Sequence, residues 1–519
     1  MAGFLLGFDV GSSSIKASLV DAQSGSLVGS ATSPDSELKI HAAQPGWAEQ
    51  DPEVWWEHVQ KSAALLRSRH PAQLAGVAAI GISYQMHGLV LVDRQGVPLR
   101  PSIIWCDSRA VPYGNRACEE LGAERCLQRL LNSPGNFTAA KLAWVKQNEP
   151  EIFGRIDRMM LPGDYIGLKL TGEAVTTPSG LSEGILWDFV DDAPAAFLMQ
   201  HFGFPRQIVP PVKPTFAEQG AVTPQAARAL GIPAGIPVAY RAGDQPNNAF
   251  SLGVLNPGEA ATTAGTSGVV YGILDSPRYD PQSRVNTFVH VNHSRECGRY
   301  GVLLCLNGTG ILYSWLRRIT ARAFPDDAPT ADYPAMNDLA VQAPIGCQGL
   351  QILPYGNGAE RMLENRDIGA SVHGLNFNIH ERCHLLRAGQ EGIVFALHYG
   401  LQIMRDMGIR IDTVKAGHAN MFLSPLFQTI FATVTGTEVH LYQTDGAEGA
   451  ARGAGVGAGL FGSPEEAFGG LERTRVIEPD RSVAGQYREA YQRWEGVLQR
   501  ELSGAPDGQA HDTPPGLSS

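Results

Sequence analysis

The sequence predicts an α/β protein built as two similar halves that face each other across a cleft. Three observations lead there. At 519 residues the chain exceeds the length over which a single core keeps growing. Apolar strand-like runs alternate with amphipathic helical stretches along most of its length. A distinctive unit of strand, small hydroxyl-bearing turn and strand occupies residues 4–21 and returns at residues 259–274, which suggests an internal duplication.

Taken in order, residues 4–10 read as a buried strand, Gly11-Ser12-Ser13-Ser14 as a tight turn and residues 15–21 as the returning strand. A turn-rich loop at residues 44–52 precedes a helix over residues 53–70, and a strand at residues 77–82 leads into Ser83-Tyr84-Gln85-Met86-His87-Gly88. Another strand ends at Trp105-Cys106-Asp107-Ser108-Arg109, and a helix starts near Phe137 with Thr138 as its N-cap. Residues 204–237 are proline-rich connecting structure with a short helix at 224–230. A strand at 236–240 runs into the stretch Arg241-Ala242-Gly243-Asp244-Gln245-Pro246-Asn247-Asn248, after which a helix starts at Ala249.

The second half repeats the mixture. Strands are predicted at 259–264, 269–274, 302–306 and 438–442, and helices at 311–320, 385–407, 424–435 and 448–460. A polar loop carrying Glu360 and Arg361 follows a strand at Ile352. The glycines at 453–459 lie inside an alanine-rich helix and do not open one after a strand. They therefore read as close helix packing, not as a dinucleotide fingerprint. Residues 503–519, rich in Gly, Pro and Ser, read as a disordered tail.

Composition narrows the function. Hydrophobic residues at 43% and charged residues at 18% describe an ordinary globular chain. A net charge of -11 without a basic block argues against nucleic acid or an anionic membrane as the main partner. The seven cysteines show no zinc-like or CxxC spacing, so free thiols in a reducing cytoplasm are expected. The first apolar run is broken by Gly7 and Asp9, which makes it a strand and not a signal peptide, and no run approaches the ~20 apolar residues of a membrane span.

Asp244 is the leading candidate for chemistry. A lone carboxylate between glycine- and asparagine-rich flanks at a strand end suits a general base acting on a sugar; an N-capping turn residue is the alternative. Asp9 ends the first strand beside Ser12, Ser13 and Ser14. Backbone N–H groups and hydroxyls there can converge on a polyphosphate while the carboxylate holds Mg2+ through water, although a plain serine-rich turn has the same composition. Gly265, Thr266 and Ser267 form the matching turn of the second half. Met86 and His87, with Trp105 and Asp107, offer apolar faces and polar groups of the kind a polyol needs; a core histidine and a structural Asp–Arg pair are the alternatives. The chain has no GK[ST] loop.

Together these motifs resemble the FGGY carbohydrate kinases, members of the actin, hexokinase and chaperone ATPase superfamily. Gly7-Phe8-Asp9-Val10-Gly11-Ser12-Ser13-Ser14-Ile15-Lys16 is similar to the family's first phosphate motif. Trp47-Ala48-Glu49-Gln50-Asp51-Pro52, Gln85-Met86-His87-Gly88, Trp105 to Arg109, Phe137 to Trp144 and Leu161-Pro162-Gly163-Asp164-Tyr165 resemble the xylulokinase branch. Gly243-Asp244-Gln245, Ala264 to Gly268, Leu353-Pro354-Tyr355, Gly392 and Asp445-Gly446-Ala447 follow in order, so the resemblance spans residues 4 to about 500.

The resemblance implies two ribonuclease-H-like domains flanking a catalytic cleft. Residues 1–253 would bind sugar and carry the first phosphate hairpin, and residues 254–502 would bind nucleotide. It implies transfer of the ATP γ-phosphate to a sugar hydroxyl, most specifically the 5-OH of D-xylulose, with L-xylulose, ribulose, a deoxy-ketose or glycerol as the nearer alternatives and a catalytically silent sugar sensor as the distant one. Asp244 matches the base, ionised at pH 7 from an ordinary pKa of about 3.9, and Asp9 the carboxylate associated with Mg2+–ATP. Met86, His87 and Gln245, with Trp105 and Asp107 nearby, would meet the sugar. Ser12, Ser13, Ser14, Lys16, Gly265, Thr266, Ser267 and Gly310 would surround the phosphates, and Gly417, His418 and Asn420 the adenosine. The chain departs from the family at Ala416-Gly417-His418-Ala419-Asn420, where a Gly-Gly-Gly-Ala loop is usual, and at Gln245, where xylulokinases carry Asn. The family likeness also makes a homodimer plausible.

Overall fold

The computed structural model describes residues 3–321 and 332–504. The first half is organised on a five-stranded sheet, made of β1 (Phe4–Val10), β2 (Ile15–Asp21), β3 (Leu27–Ser33), β4 (Val77–Tyr84) and β5 (Val238–Gly243), in the order β5-β4-β1-β2-β3. The second half is organised on a seven-stranded sheet, made of β6 (Gly258–Ala264), β7 (Gly268–Leu274), β8 (Asn286–Val289), β9 (Tyr300–Leu306), β10 (Ile411–Gly417), β11 (Glu438–Tyr442) and β12 (Arg473–Ile477), in the order β8-β9-β7-β6-β10-β11-β12.

The duplication is visible in the strand order. In the first sheet β1, β2 and β3 pair antiparallel, while β4 and β5 lie parallel on the other side of β1. In the second, β6, β7 and β9 pair antiparallel, while β10 and β11 lie parallel beyond β6. These strands read as near-continuous apolar runs because helices cover their faces. α1 (Pro52–Arg69) buries Trp55, Val59, Ala63 and Leu66 against the first sheet, and α5 (Arg382–Asp406) is buried along most of its length in the second core.

Two helices join the halves. α2 (Asp244–Ser251) follows β5, and α6 (Gly446–Gly457) follows β11 but packs back on β1, β4 and β5 of the first sheet. That approach requires glycine, since a Cβ on Gly7 or Gly81 would run into the carbonyl oxygens of Ala447 and Ala450. The glycines of α6 serve packing in the same way: Gly453 lies against the Tyr240 ring and Gly457 against the Ala239 carbonyl. Among the described residues no helix is long and apolar enough to cross a membrane.

Some local expectations need correction. The helix expected from Ala249 begins five residues earlier, with Gly243 as N-cap and Asp244 as its first residue. Asp and Asn are weak helix formers but are at home in a first turn, which is why propensity placed the boundary late. Thr138 is the first residue of its helix, not the cap; Phe137 takes that place, and the Thr138 hydroxyl donates to the Gly88 carbonyl. Of the expected tail, Ser503 and Gly504 close α7 (Ala484–Gly504), and residues 505–519 lie outside the described residues.

Candidate active site

Three parallel strand ends create the centre of the site. Ser83 on β4 pairs in register with Asp9 on β1 at one side and with Ala242 on β5 at the other. Strands are spaced about 4.8 Å apart, so Asp9 and the residue following β5, Asp244, stand roughly 10 Å apart along one sheet edge. Both are half-buried, with an open side toward the cleft. The Ser83 hydroxyl donates to Asp9 Oδ1 at 2.8 Å, fixing that carboxylate. Asp244 accepts a long contact from Gln245 Nε2 at 3.4 Å.

Both carboxyls have pKa values raised above the ordinary one. Burial, then the charge of Asp9, pushes Asp244 up to about 7, against the ordinary ionisation the sequence implied. Burial lifts Asp9 as well; the Ser83 bond and Lys16 oppose that lift, and Asp445 adds to it. Lys16, expected at the phosphates, instead pairs with Asp445. Asp445 in turn caps α6 by accepting the Glu448 N–H at 2.9 Å. Among the described residues no cluster of three or more His, Cys, Asp or Glu side chains is arranged to hold a metal ion.

The sugar-side candidates line the strand ends behind Asp244. His87 adopts a left-handed backbone at φ 61°. Its N–H donates to Glu183 Oε2 at 2.9 Å, and its Nδ1 lies 2.8 Å from the Glu183 carbonyl. Burial, with Lys141 nearby, drives the His87 pKa down to about 3. The ring is neutral, Nδ1–H is the donor, and Nε2 is left as an acceptor. Phe137 meets the His87 ring edge-on at 4.8 Å, Phe288 of the second half lies 5.7 Å away, and Met86 is buried beside Gly243.

Trp105 is 52% exposed and donates its indole N–H to the Ser12 hydroxyl at 3.2 Å, linking the first turn to the sugar side. Asp107 departs from expectation. Its carboxylate is fully buried, gripped by the Arg109 guanidinium at 2.7–3.0 Å and by the Ala48 N–H at 2.6 Å, so it fixes a loop and presents nothing to a ligand.

Glu183 and Lys141 were missed because their importance depends on chain segments far away. Burial raises the Glu183 pKa well above the carboxylate range, and Asp244 adds to the rise. Lys141 Nζ donates to the carbonyls of His87 at 2.8 Å and Ile104 at 3.0 Å, tying two strand ends together. A buried acid among apolar neighbours and a lysine inside an apolar helical run were the available signals, and neither points to a partner.

A cavity of about 680 Å³ opens on the other side of the cleft, between Gly265–Thr266, α3 (Gly310–Ala321), α4 (Tyr333–Ala340) and residues 420–425. The Gly310 N–H donates to the Gly265 carbonyl at 2.8 Å, and a Cβ on Gly310 would collide with that oxygen. Gly265, Thr266, Gly310 and Asn420 line the cavity, whereas Ser267, Gly417 and His418 are set back from it. Tyr313, Tyr333 and Asn337, not foreseen, complete it. The Asn337 carbonyl accepts from Tyr313 at 2.9 Å and Gln390 at 3.0 Å, so its amide N–H groups are left for the cavity.

Comparison with known proteins fits this architecture. Residues 4–251 match the N-terminal domain, and residues 260–460 the C-terminal domain, of the FGGY family of carbohydrate kinases. The xylulose kinase of Escherichia coli (strain K12) is 30% identical over 490 residues, covering 94% of this chain and 96% of the relative. The xyloylose kinase from Brucella ovis superposes with a TM-score of 0.86 at 28% identity, over 96% of this chain and 99% of its own. The xylulose kinase from Rhodospirillum rubrum gives 0.85 at 27%, over 96% and 98%. The duplicated ribonuclease-H-like fold and both family domains therefore have one explanation: the chain belongs to the FGGY family of carbohydrate kinases, phosphotransferases that use ATP and a sugar.

Proposed function

We propose that the protein transfers the γ-phosphate of ATP to the 5-hydroxyl of D-xylulose, giving D-xylulose 5-phosphate, with Asp244 as general base. The observation that carries the proposal is the Asp9–Asp244 pair at one sheet edge, with His87 following the strand between them and a cavity of about 680 Å³ beside Gly265 and Thr266. The xylulose kinases among its relatives support the choice of sugar. A base with a pKa of about 7 is half ionised at neutral pH, which is well matched to accepting a proton late in a loose phosphoryl-transfer transition state. Such a base is worth about 10² to 10⁴ in rate.

Mg2+ fits the site as a water-held ion. The charge of Asp9 raises the pKa of Asp244, and the charge of Asp445 raises that of Asp9 against the opposing charge of Lys16, so a cation here relieves repulsion. Mg2+ keeps several of its waters and binds mainly to phosphate oxygens, so one carboxylate can serve it. Bound there, it would supply charge neutralisation on those oxygens, with Asp9 as its protein anchor.

In this reading residues 1–253 hold the sugar and residues 254–502 the nucleotide. Met86, the His87 Nε2 acceptor and Gln245 meet the sugar. Ser12, Ser13 and Ser14 face Gly265, Thr266 and Ser267 across the phosphates. Closure of the cleft around both substrates excludes water. Free cysteines throughout suit a reducing cytoplasm.

Gln245 keeps a second reading open, a kinase of the same class for another ketose or polyol. ADP release measured with ATP, Mg2+ and a ketose and polyol panel tests both, run beside Asp244→Ala. Turnover strongest on D-xylulose and lost in the variant is the expected result. Another preferred acceptor selects the second reading, and no turnover on any acceptor rejects the kinase assignment of this site.

A further inference from the structure

Glu360 and Arg361 are consecutive residues whose side chains meet different neighbours. Glu360 is 1% exposed and accepts the Asn307 N–H at 2.9 and 3.2 Å. The turn it holds continues into Gly310 and Ile311, whose N–H groups donate to the carbonyls of Gly265 at 2.8 Å and Thr266 at 3.2 Å. Glu360 is thereby one step from the second phosphate turn. Arg361 reaches the other way, with its guanidinium 5.6 Å from the centre of the Phe137 ring that packs on His87.

Arg361 is half-buried, and among the described residues it forms no ion pair. One long bond from Nη1 to the Ser283 carbonyl, at 3.4 Å, is its hydrogen bond. A guanidinium carries five N–H donors, so most of its capacity is unspent beside the pocket. The other cation near His87, Lys141, is committed to two carbonyls, and Glu183 to His87 itself. Donors left without protein partners at a half-buried position are open to a ligand.

We infer that Arg361 is a sugar-binding, specificity-determining residue supplied by the second half, donating to a carbonyl or hydroxyl oxygen of the acceptor, and that Glu360 positions it so that sugar and nucleotide bind cooperatively. This deepens the ketose kinase reading and rests on it. The dipeptide makes one rigid link between the phosphate turn and the sugar pocket. Ordering of either end favours the other, and the resulting coupling acts equally on both affinities.

Calorimetric titration of D-xylulose, with and without Mg2+ and a non-hydrolysable ATP analogue, tests the inference on wild type, Arg361→Met, Arg361→Lys and Glu360→Gln. Wild type should bind the sugar at least about fivefold more tightly with the analogue present. Arg361→Met should weaken sugar binding by about tenfold to a hundredfold, the usual worth of hydrogen bonds from a charged donor. It should leave binding of the analogue alone unchanged. Glu360→Gln should retain sugar binding but lose most of the coupling. If Arg361→Met does not fold, Arg361→Lys carries the test, since an ammonium cannot reproduce the fork and should still weaken the sugar. Arginine variants that bind sugar like wild type overturn the sugar contact, and undiminished coupling in Glu360→Gln overturns the positioning role. A wild-type protein that neither binds nor phosphorylates any ketose or polyol rejects the functional reading instead, and this inference with it.

Discussion

Asp244→Asn should make the protein more stable above neutral pH while removing its activity. In the fold, burial first and Asp9 second raise this carboxyl from an ordinary 3.8 to about 7. The sign follows from linkage. Between about pH 4 and 7 the unfolded chain releases the proton that the folded chain retains, so stability from the protonated form is full below pH 4 and lost as pH rises through 7. A rise of about 3 pH units at 1.36 kcal/mol each gives about 4 kcal/mol. The side open to the cleft lets water screen the charge, which brings the figure nearer to about 2 kcal/mol. Asparagine keeps the shape and never ionises. At about 2 °C per kcal/mol for a half of this size, Asp244→Asn should raise Tm by roughly 4–8 °C at pH 8. By the same linkage only about a quarter of that gain should remain at pH 4.5. Calorimetric scans at the two pH values, paired with turnover assays, check it. Equal Tm shifts at both pH values, or turnover within tenfold of wild type, would refute the argument.

Three further outcomes follow from the same geometry. The acid limb of kcat/KM should lie near pH 7, and Asp9→Asn should move the limb of its residual activity downward, because removing the neighbouring charge eases ionisation of Asp244; pH–rate profiles read both. His87→Ala should raise the sugar KM about tenfold or more with little change in the KM for ATP, and the wild-type profile should show no step near 6.5, since burial holds His87 neutral down to about pH 3. Gly310→Ala should raise the KM for ATP and spare sugar binding, because the new Cβ meets the Gly265 carbonyl and must push the phosphate turn aside.

The parts of this protein legible from sequence were those written in local pattern. The hairpins at residues 4–21 and 259–274 stood out because the same small-residue turn between apolar runs occurs once in each half. Strand order confirms that they are equivalent units. The start of α2 was misplaced because Asp244 to Asn248 reads as a loop by composition, and only the strand end and the packing of α6 make it a helix. Asp107 illustrates the converse: its motif drew attention, yet the adjacent Arg109 consumes its carboxylate. Glu183, Lys141 and the cavity residues Tyr313, Tyr333 and Asn337 acquire meaning only through segments distant in the sequence, or through a helix face, which no local pattern reveals. The shifted pKa of Asp244 belongs to the same class, because it depends first on burial in the assembled fold and then on Asp9 from the other end of the half.

The central claim is that Asp244 and Asp9 direct phosphate onto the 5-hydroxyl of D-xylulose, and the product itself tests this most directly. Phosphorus and carbon NMR of the product from ATP, Mg2+ and carbon-labelled D-xylulose should show one phosphomonoester coupled to C5, absent with Asp244→Asn. Phosphate on another carbon, or the same ester formed at an undiminished rate by the variant, would contradict the account.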